Sequence, residues 1–267
     1  MSAISVPTPA KRIRIPKFSA AALLPLVGPI AFFLLWQGVC SAHVVRAVLL
    51  PTPVATIGYL IDALFHGSLA ADAGVTLTRT LLSFAIGSIL GVPIGVACGS
   101  NQRLYRSVEF LIDFFRSTPA SALIPLFILF FGITDINKIA IASFSVFLIV
   151  MFNSAYGVMN ARRARILAAK VMGANAFQIF RDVLIFESLP QTFVGLRNGI
   201  STALVIVVVA EMFIGSDQGL GHRIIEGEQI LHVTDMYASI LVAGFLGYAL
   251  NMIFMVLDRR LMHWNGK

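Results

Sequence analysis

Three groups of side chains in this sequence can do chemistry in apolar surroundings. Arg79 sits in "VTLTRTLLSF" and Glu211 in "VVAEMFIGS", each among aliphatic residues. A charge placed there is costly unless it is paired or faces a cavity. The two are therefore expected to meet as a buried ion pair. Such a pair either pins two helices together, the favoured reading, or contacts a solute.

Arg116 is followed by the hydroxyls of Ser117 and Thr118 in "FFRSTPAS". A guanidinium beside hydroxyls is the donor set that holds a sulfonate or a nitrate. A long basic side chain at a membrane edge also snorkels to headgroups, and both readings stand. Ser143, Ser145 and Asn153 either line a polar path or hydrogen-bond between helices as packing.

Other chemistries find no residues to perform them. The five histidines, at 43, 66, 222, 232 and 263, are scattered along the chain near the ends of apolar runs, so neither a metal site nor a catalytic set is expected. No G-x-x-x-x-G-K-[ST] phosphate loop occurs, so the chain is not expected to cradle ATP in that way. Cys40 and Cys98 fall near the ends of different runs, on opposite sides of the inferred membrane, which argues against a disulfide.

The elements that must position these groups are membrane spans. Of the 267 residues 58% are hydrophobic and only 12% charged, and mean hydropathy is +0.87. That is more apolar surface than a water-soluble core of this length buries. The net charge of +7 is broken into short basic groups at the ends of apolar runs, a topology signal that sets nucleic-acid binding aside.

A helix needs about 20 mostly apolar residues to cross the hydrocarbon region. Six such runs are predicted, at 20–40, 75–98, 110–132, 138–158, 193–214 and 237–257. The first is too long for a signal-peptide core and is read as a retained span. The third is interrupted at Arg116 to Pro119, so its inner half is expected to be an amphipathic interfacial helix or a kink.

Fourteen lysines and arginines fall on one side of these spans and three on the other, which predicts that both termini are cytoplasmic. The chain thus divides into an N-terminal tail (1–19), a six-span domain (20–258) with a cytoplasmic loop (159–191), and a C-terminal tail (259–267). On the outer side, Thr52 and Pro53 open a predicted surface helix whose apolar face is Ile57, Leu60, Ile61, Leu64 and Phe65.

The loop "LAAKVMGANAFQIFRDVLIFESLPQ" is neither apolar enough to span nor loose enough to be a linker. A first helix is expected to end at Gly173, and a second, amphipathic one to run from Ala176 to Leu184 with Ala176, Phe177, Phe180, Val183 and Leu184 on one face. The segment resting on lipid headgroups is the plain alternative. Small side chains at Ala168, Ala169 and Gly173 favour instead a close approach to another protein's backbone.

Taken together, "LPTPVATI", "GVPIGVACGS", "RSTPASALIPLFILFFGITDINKI", "AAKVMGANAFQIFRDV", "LPQTFVGLRNGI" and "VVAEMFIGSDQGLG" resemble the permease subunits of ABC importers, in the branch serving nitrate, sulfonates and taurine. The resemblance implies an all-α fold of the type I importer kind, in the cell inner membrane. It further implies a second permease copy, two cytoplasmic ATPase subunits that bind ATP and Mg, and an external solute-binding protein. In that family a loop with the pattern Glu-Ala-Ala followed by Gly docks on the ATPase. Ala168, Ala169 and Gly173 match it, with Leu167 at the Glu position, and Ala174, Asn175, Phe177 and Gln178 complete the expected coupling site.

Overall fold

The computed structural model describes residues 24–261, and these are almost entirely helical. The expected tail 1–19, the start of the first span and most of the tail 259–267 lie outside the described residues. The chain divides into two units, residues 1–53 and 54–267.

In the first unit, α1 (Leu24–Ser41) carries Pro29 and ends where the chain turns back. Trp36 donates its indole N–H to the carbonyl of Pro51 at 3.1 Å, which ties the turn to the helix. Cys40 is a free thiol.

The second unit begins with α2 (Pro53–Phe65), the surface helix expected from Thr52 and Pro53. The helices α3 (Leu69–Ser100), α6 (Asp135–Met159), α9 (Ile185–Phe213) and α11 (Val233–Leu261) form the bundle. Among the described residues four helical stretches are long and apolar enough to cross a membrane, at 69–100, 135–159, 176–213 and 233–261. A fifth crossing is broken: α4 (Gln102–Ser117) and α5 (Ile124–Phe131), joined by a tight 3-10 turn at Ala120–Leu123, meet at 94°. The run 110–132 is therefore not one straight helix but is broken at the expected interruption, Arg116 to Pro119. Its inner half is an amphipathic helix capped by the Asn101 side chain, and Thr118-Pro119 makes the corner, since the residue before a proline is driven out of the helical region.

The four long spans begin earlier than hydropathy alone predicts. The N-terminal part of α3, for example, contains Asp72, Thr76 and Arg79, all buried. A hydropathy window treats these as solvent-facing, whereas here they find partners inside the bundle.

The core is built on glycine. Gly87, Gly91, Gly95 and Gly99 repeat every fourth residue of α3 and so share one face. A Cβ on Gly87 would meet the Ser143 carbonyl at 2.6 Å, on Gly95 the Met151 carbonyl at 2.3 Å, and on Gly99 the Ala155 carbonyl at 2.5 Å. The steps advance together, so α3 and α6 run parallel with their backbones in direct contact. On α6's other side α9 runs antiparallel: Gly195 faces Asn153, while Gly157 faces Ser188 and Gln191. Val146, Val150 and Ala203 fill the space between, fully buried. Without a hydrophobic force between helices in lipid, such close contact is the main source of association.

Candidate functional site

Three places in the second unit gather the residues singled out above. The first is a helical corner at the end of the bundle where α6 stops. Helix α7 (Arg163–Val171) ends in a Schellman motif, with Ala174 N–H bonded to the Ala169 carbonyl at 3.0 Å and Gly173 N–H to the Lys170 carbonyl at 3.0 Å. Gly173 takes the positive φ of +82° that this closure demands. A side chain there would meet nothing within 4 Å, so the corner stands clear of its own protein.

The next helix, α8 (Ala176–Ile179), opens with a capping box in which Asn175 and Gln178 exchange two bonds of 2.8 Å. Two expected docking residues are thus spent on their own backbone. Ala168 and Phe177 are exposed, Ala169 and Ala174 half-buried, and Val171 and Met172 project with 81% and 85% of their surface free.

Helix α8 does not end as a separate three-turn element. A π-turn at Phe180–Leu184 carries it straight into α9, making one helix from Ala176 to Phe213. The predicted apolar face is corrected at its start, where Ile179 is buried and Phe177 is 67% exposed, while Phe180, Val183 and Leu184 are half-buried. The Arg165 guanidinium and the Arg162 N–H both bind the Glu187 carboxylate, which fastens α7 to the root of α9.

The second place is the corner between α4 and α5. Arg116 and Thr118 border a cavity of about 260 Å³ that Ser145 of α6 and Thr202 of α9 also line. The Arg116 guanidinium lies 4.1 Å from the Phe152 ring centre and 3.7 Å from Asp113. Ser117 is exposed and does not line this cavity. Ser143 and Asn153 are not brought here either. The Ser143 hydroxyl donates to the Ile139 carbonyl, one turn back on its own helix. Asn153 accepts from Gln191 at 3.0 Å across the α6–α9 contact, so it is packing. Helix α6 turns 200° between Ser143 and Ser145, which is why only Ser145 reaches the cavity.

The third place is a buried polar network at the opposite end. The Arg79 guanidinium donates to Glu211 at 2.7 Å, to Asp135 at 2.7 Å and to the Gln218 carbonyl at 3.0 Å. Glu211, 1% exposed, also accepts from the Thr76 hydroxyl at 2.9 Å and from Gly221 N–H at 3.0 Å. Asp135 takes a further bond from Lys138. The chain returning from α9 passes directly over the carboxylate, where a Cβ on Gly219 would lie 2.5 Å from Glu211. Gly219, at φ +117°, gives its N–H to Asp72, and Leu220 gives its own to Thr76.

The start of α10 (Leu220–Gln229) is thereby clamped to α3, and Arg223 extends the clamp by bridging Asp72 at 3.1 Å and Asp235 at 2.7 Å. Burial works to lower the Arg223 pKa, but these two carboxylates outweigh it and hold the group above its usual range. Arg79 and Glu211 are the pair expected from the sequence; Lys138, Arg223 and Asp235 join them from the starts of α6, α10 and α11.

Among the described residues no group of three or more metal-ligating side chains occurs. Long apolar helices with a bent pair among them, a clamped loop at one end and a projecting helical corner at the other describe a multi-pass membrane protein. Comparison with known proteins gives its family. The chain belongs to the family described as "binding-protein-dependent transport system inner membrane component", which matches residues 91–264.

A probable ABC transporter permease protein of Brucella abortus is 33% identical over 221 residues, 83% of this chain and 88% of that protein. A putative aliphatic sulfonates transport permease protein of Bacillus subtilis is 28% identical over 241 residues, covering 90% and 87%. In fold, the chain is similar to one in the inward-facing MetNI methionine ABC transporter, with a TM-score of 0.64 and 23% identity over 73% of this chain and 96% of that one. The protein is an ABC importer permease.

Proposed function

We propose that two copies of this chain form the path by which an external binding protein delivers a small organic anion of the sulfonate or taurine class, with nitrate as a related possibility in charge and size. Two cytoplasmic ATPase subunits, which bind the ATP and Mg that this chain does not, drive the cycle. In this reading the basic end of the bundle, the projecting corner and both termini are cytoplasmic. The observation that carries it is the Gly173 corner: a rigid, Schellman-closed turn, empty of internal contacts, with Val171, Met172 and Phe177 offered to a groove on another protein.

Because α8 continues into α9 as one helix, movement of the corner by an ATPase passes directly to a span that touches α6, α3 and α11. A flexible hinge there would absorb the stroke. The Arg165 and Glu187 contact further ties α7 to that same helix. Arg116 and Thr118 border the part of the path nearest the corner, and Ser143 and Asn153 act in packing. The similarity to a sulfonate permease supports the class of cargo.

The test is Ala169→Trp in the assembled importer. The side chain is half-buried in a shallow hollow shared with Gly173 and Gln178, where a bulky ring keeps the ATPase groove away. Membrane levels are expected to hold, while ATP-driven taurine uptake falls roughly tenfold or more, the factor that about 1.4 kcal/mol of lost docking produces. Unchanged uptake refutes the docking role. Uptake that survives deletion of the ATPase selects a secondary transporter or channel instead. A second, smaller effect is expected at Arg116→Ala, a reduced uptake rate with normal ATPase stimulation; no change removes Arg116 from the path.

A further inference from the structure

Arg197 is the cation the network and the corner leave unexplained. It lies 12 residues into α9, about 18 Å along the helix axis at 1.5 Å per residue, well within the apolar stretch. The two buried basic side chains among the described residues each have a carboxylate within 4 Å: Arg79 has Glu211 and Asp135, and Lys138 has Asp135. Among the described residues Arg197 has none. Its one side-chain partner is neutral, Asn251 of α11, whose Oδ1 accepts from Nε at 2.7 Å.

That bond dictates what remains. Because Nε–H donates, Asn251 must present its oxygen, which turns its NH2 group away as a further donor. Among the described residues the two terminal nitrogens of the guanidinium have no hydrogen-bond partner, and these form the fork that meets an oxyanion in parallel bonds. Arg197 and Asn251 border a groove of about 720 Å³ between α9 and α11, also lined by Asn198, Ser201 and Tyr248. The groove's one carboxylate, Asp258, stands two turns beyond Asn251 on α11 and forms no ion pair with Arg197. An unpaired guanidinium facing lipid at this depth is strongly disfavoured, and a wet groove that admits an anion is the arrangement that satisfies it.

We propose that Arg197, with Asn251 fixing its orientation, is the anion-binding residue of the translocation path, and that it selects solutes with a sulfonate or carboxylate head. The proposal rests on the importer reading and names the group that would meet the cargo once the binding protein has released it. A structural role for Arg197 predicts none of the free donors, because a pinning arginine spends them on protein.

The experiment has two arms. In a chain with Cys40 and Cys98 replaced by serine, Ser201→Cys places a thiol one turn from Arg197 in the groove. An anionic methanethiosulfonate is expected to label it faster than a cationic one, by roughly tenfold for a unit charge at this range in a partly wet site. Arg197→Gln should abolish that preference. A thiol that reacts with neither reagent means a dry, lipid-filled groove, and one that shows no charge preference means no anion site; either result overturns the proposal.

In the second arm, Arg197→Gln and Arg197→Lys are compared in the complete importer with taurine. Gln is expected to cut uptake at least tenfold, with melting temperature and basal ATPase rate retained, and Lys to restore part of it. Wild-type uptake by the Gln variant sinks this inference alone. If the wild type imports taurine without its ATPase, it is the importer reading that fails. A Gln variant that misfolds while Lys is fully active assigns Arg197 a structural role and also overturns the proposal.

Discussion

Replacing Gly95 by leucine is expected to prevent the bundle from assembling. Its Cβ would lie 2.3 Å from the carbonyl oxygen of Met151 and 2.8 Å from the Ser154 Cβ, and neither is the free end of a flexible side chain. Relief requires α3 and α6 to separate along the whole glycine row, which strips contacts from Val146 and Val150 as well. Overpacking of an ordinary core costs about 1–3 kcal/mol, and a backbone obstacle places this case at or above the upper end. The comparison is Gly74→Leu, the same change on the same helix where a Cβ meets nothing within 4 Å. In detergent the Gly74 variant should elute and melt like the parent, and the Gly95 variant should aggregate or lose most of its cooperative transition. Parent-like melting by both would mean that the row is not in contact.

The glycine row shows what was legible and overlooked. "GSILGVPIGVACGS" carries glycine at every fourth position, a spacing that puts all four on one helix face, and no tertiary information is needed to see it. The pairing of Arg79 with Glu211 was legible for a different reason: each stands alone in an apolar run, so each must find the other. Lys138, Arg223 and Asp235 gave no such signal. They lie near span ends, where a charge normally faces water; Lys138 pairs locally with Asp135, and Arg223 meets Asp72 and Asp235 only because the chain returns over Glu211.

The helical corner at Gly173 was readable in outline from that glycine and the small residues before it. Its continuation into α9 was not, because a π-turn leaves no compositional mark. Arg197 is the converse of Arg79. A single arginine in a span is visible in the sequence, but whether a carboxylate reaches it depends on the neighbouring helices.

Glu211→Ala is expected to be the most damaging single change in the clamped end. It strands Arg79, which is buried and already has one nitrogen, Nε, without a partner, and it removes the acceptor for Thr76 and for Gly221 N–H. Breaking a buried pair from one side costs about 3–5 kcal/mol, most of it the penalty for the charge left behind. Asp135 remains as a second partner for Arg79, so the lower part of that range applies. Loss of the Gly221 bond also frees the chain between α9 and α10, and protease sensitivity at 214–221 should rise before the bundle itself melts. The double variant Arg79→Met with Glu211→Leu removes both charges and should melt above the Ala single variant, with Lys138 still paired to Asp135. If the double variant is instead the less stable of the two, the stabilisation comes from the hydrogen-bonded geometry of the pair, and the stranded charge is not what the single change exposes.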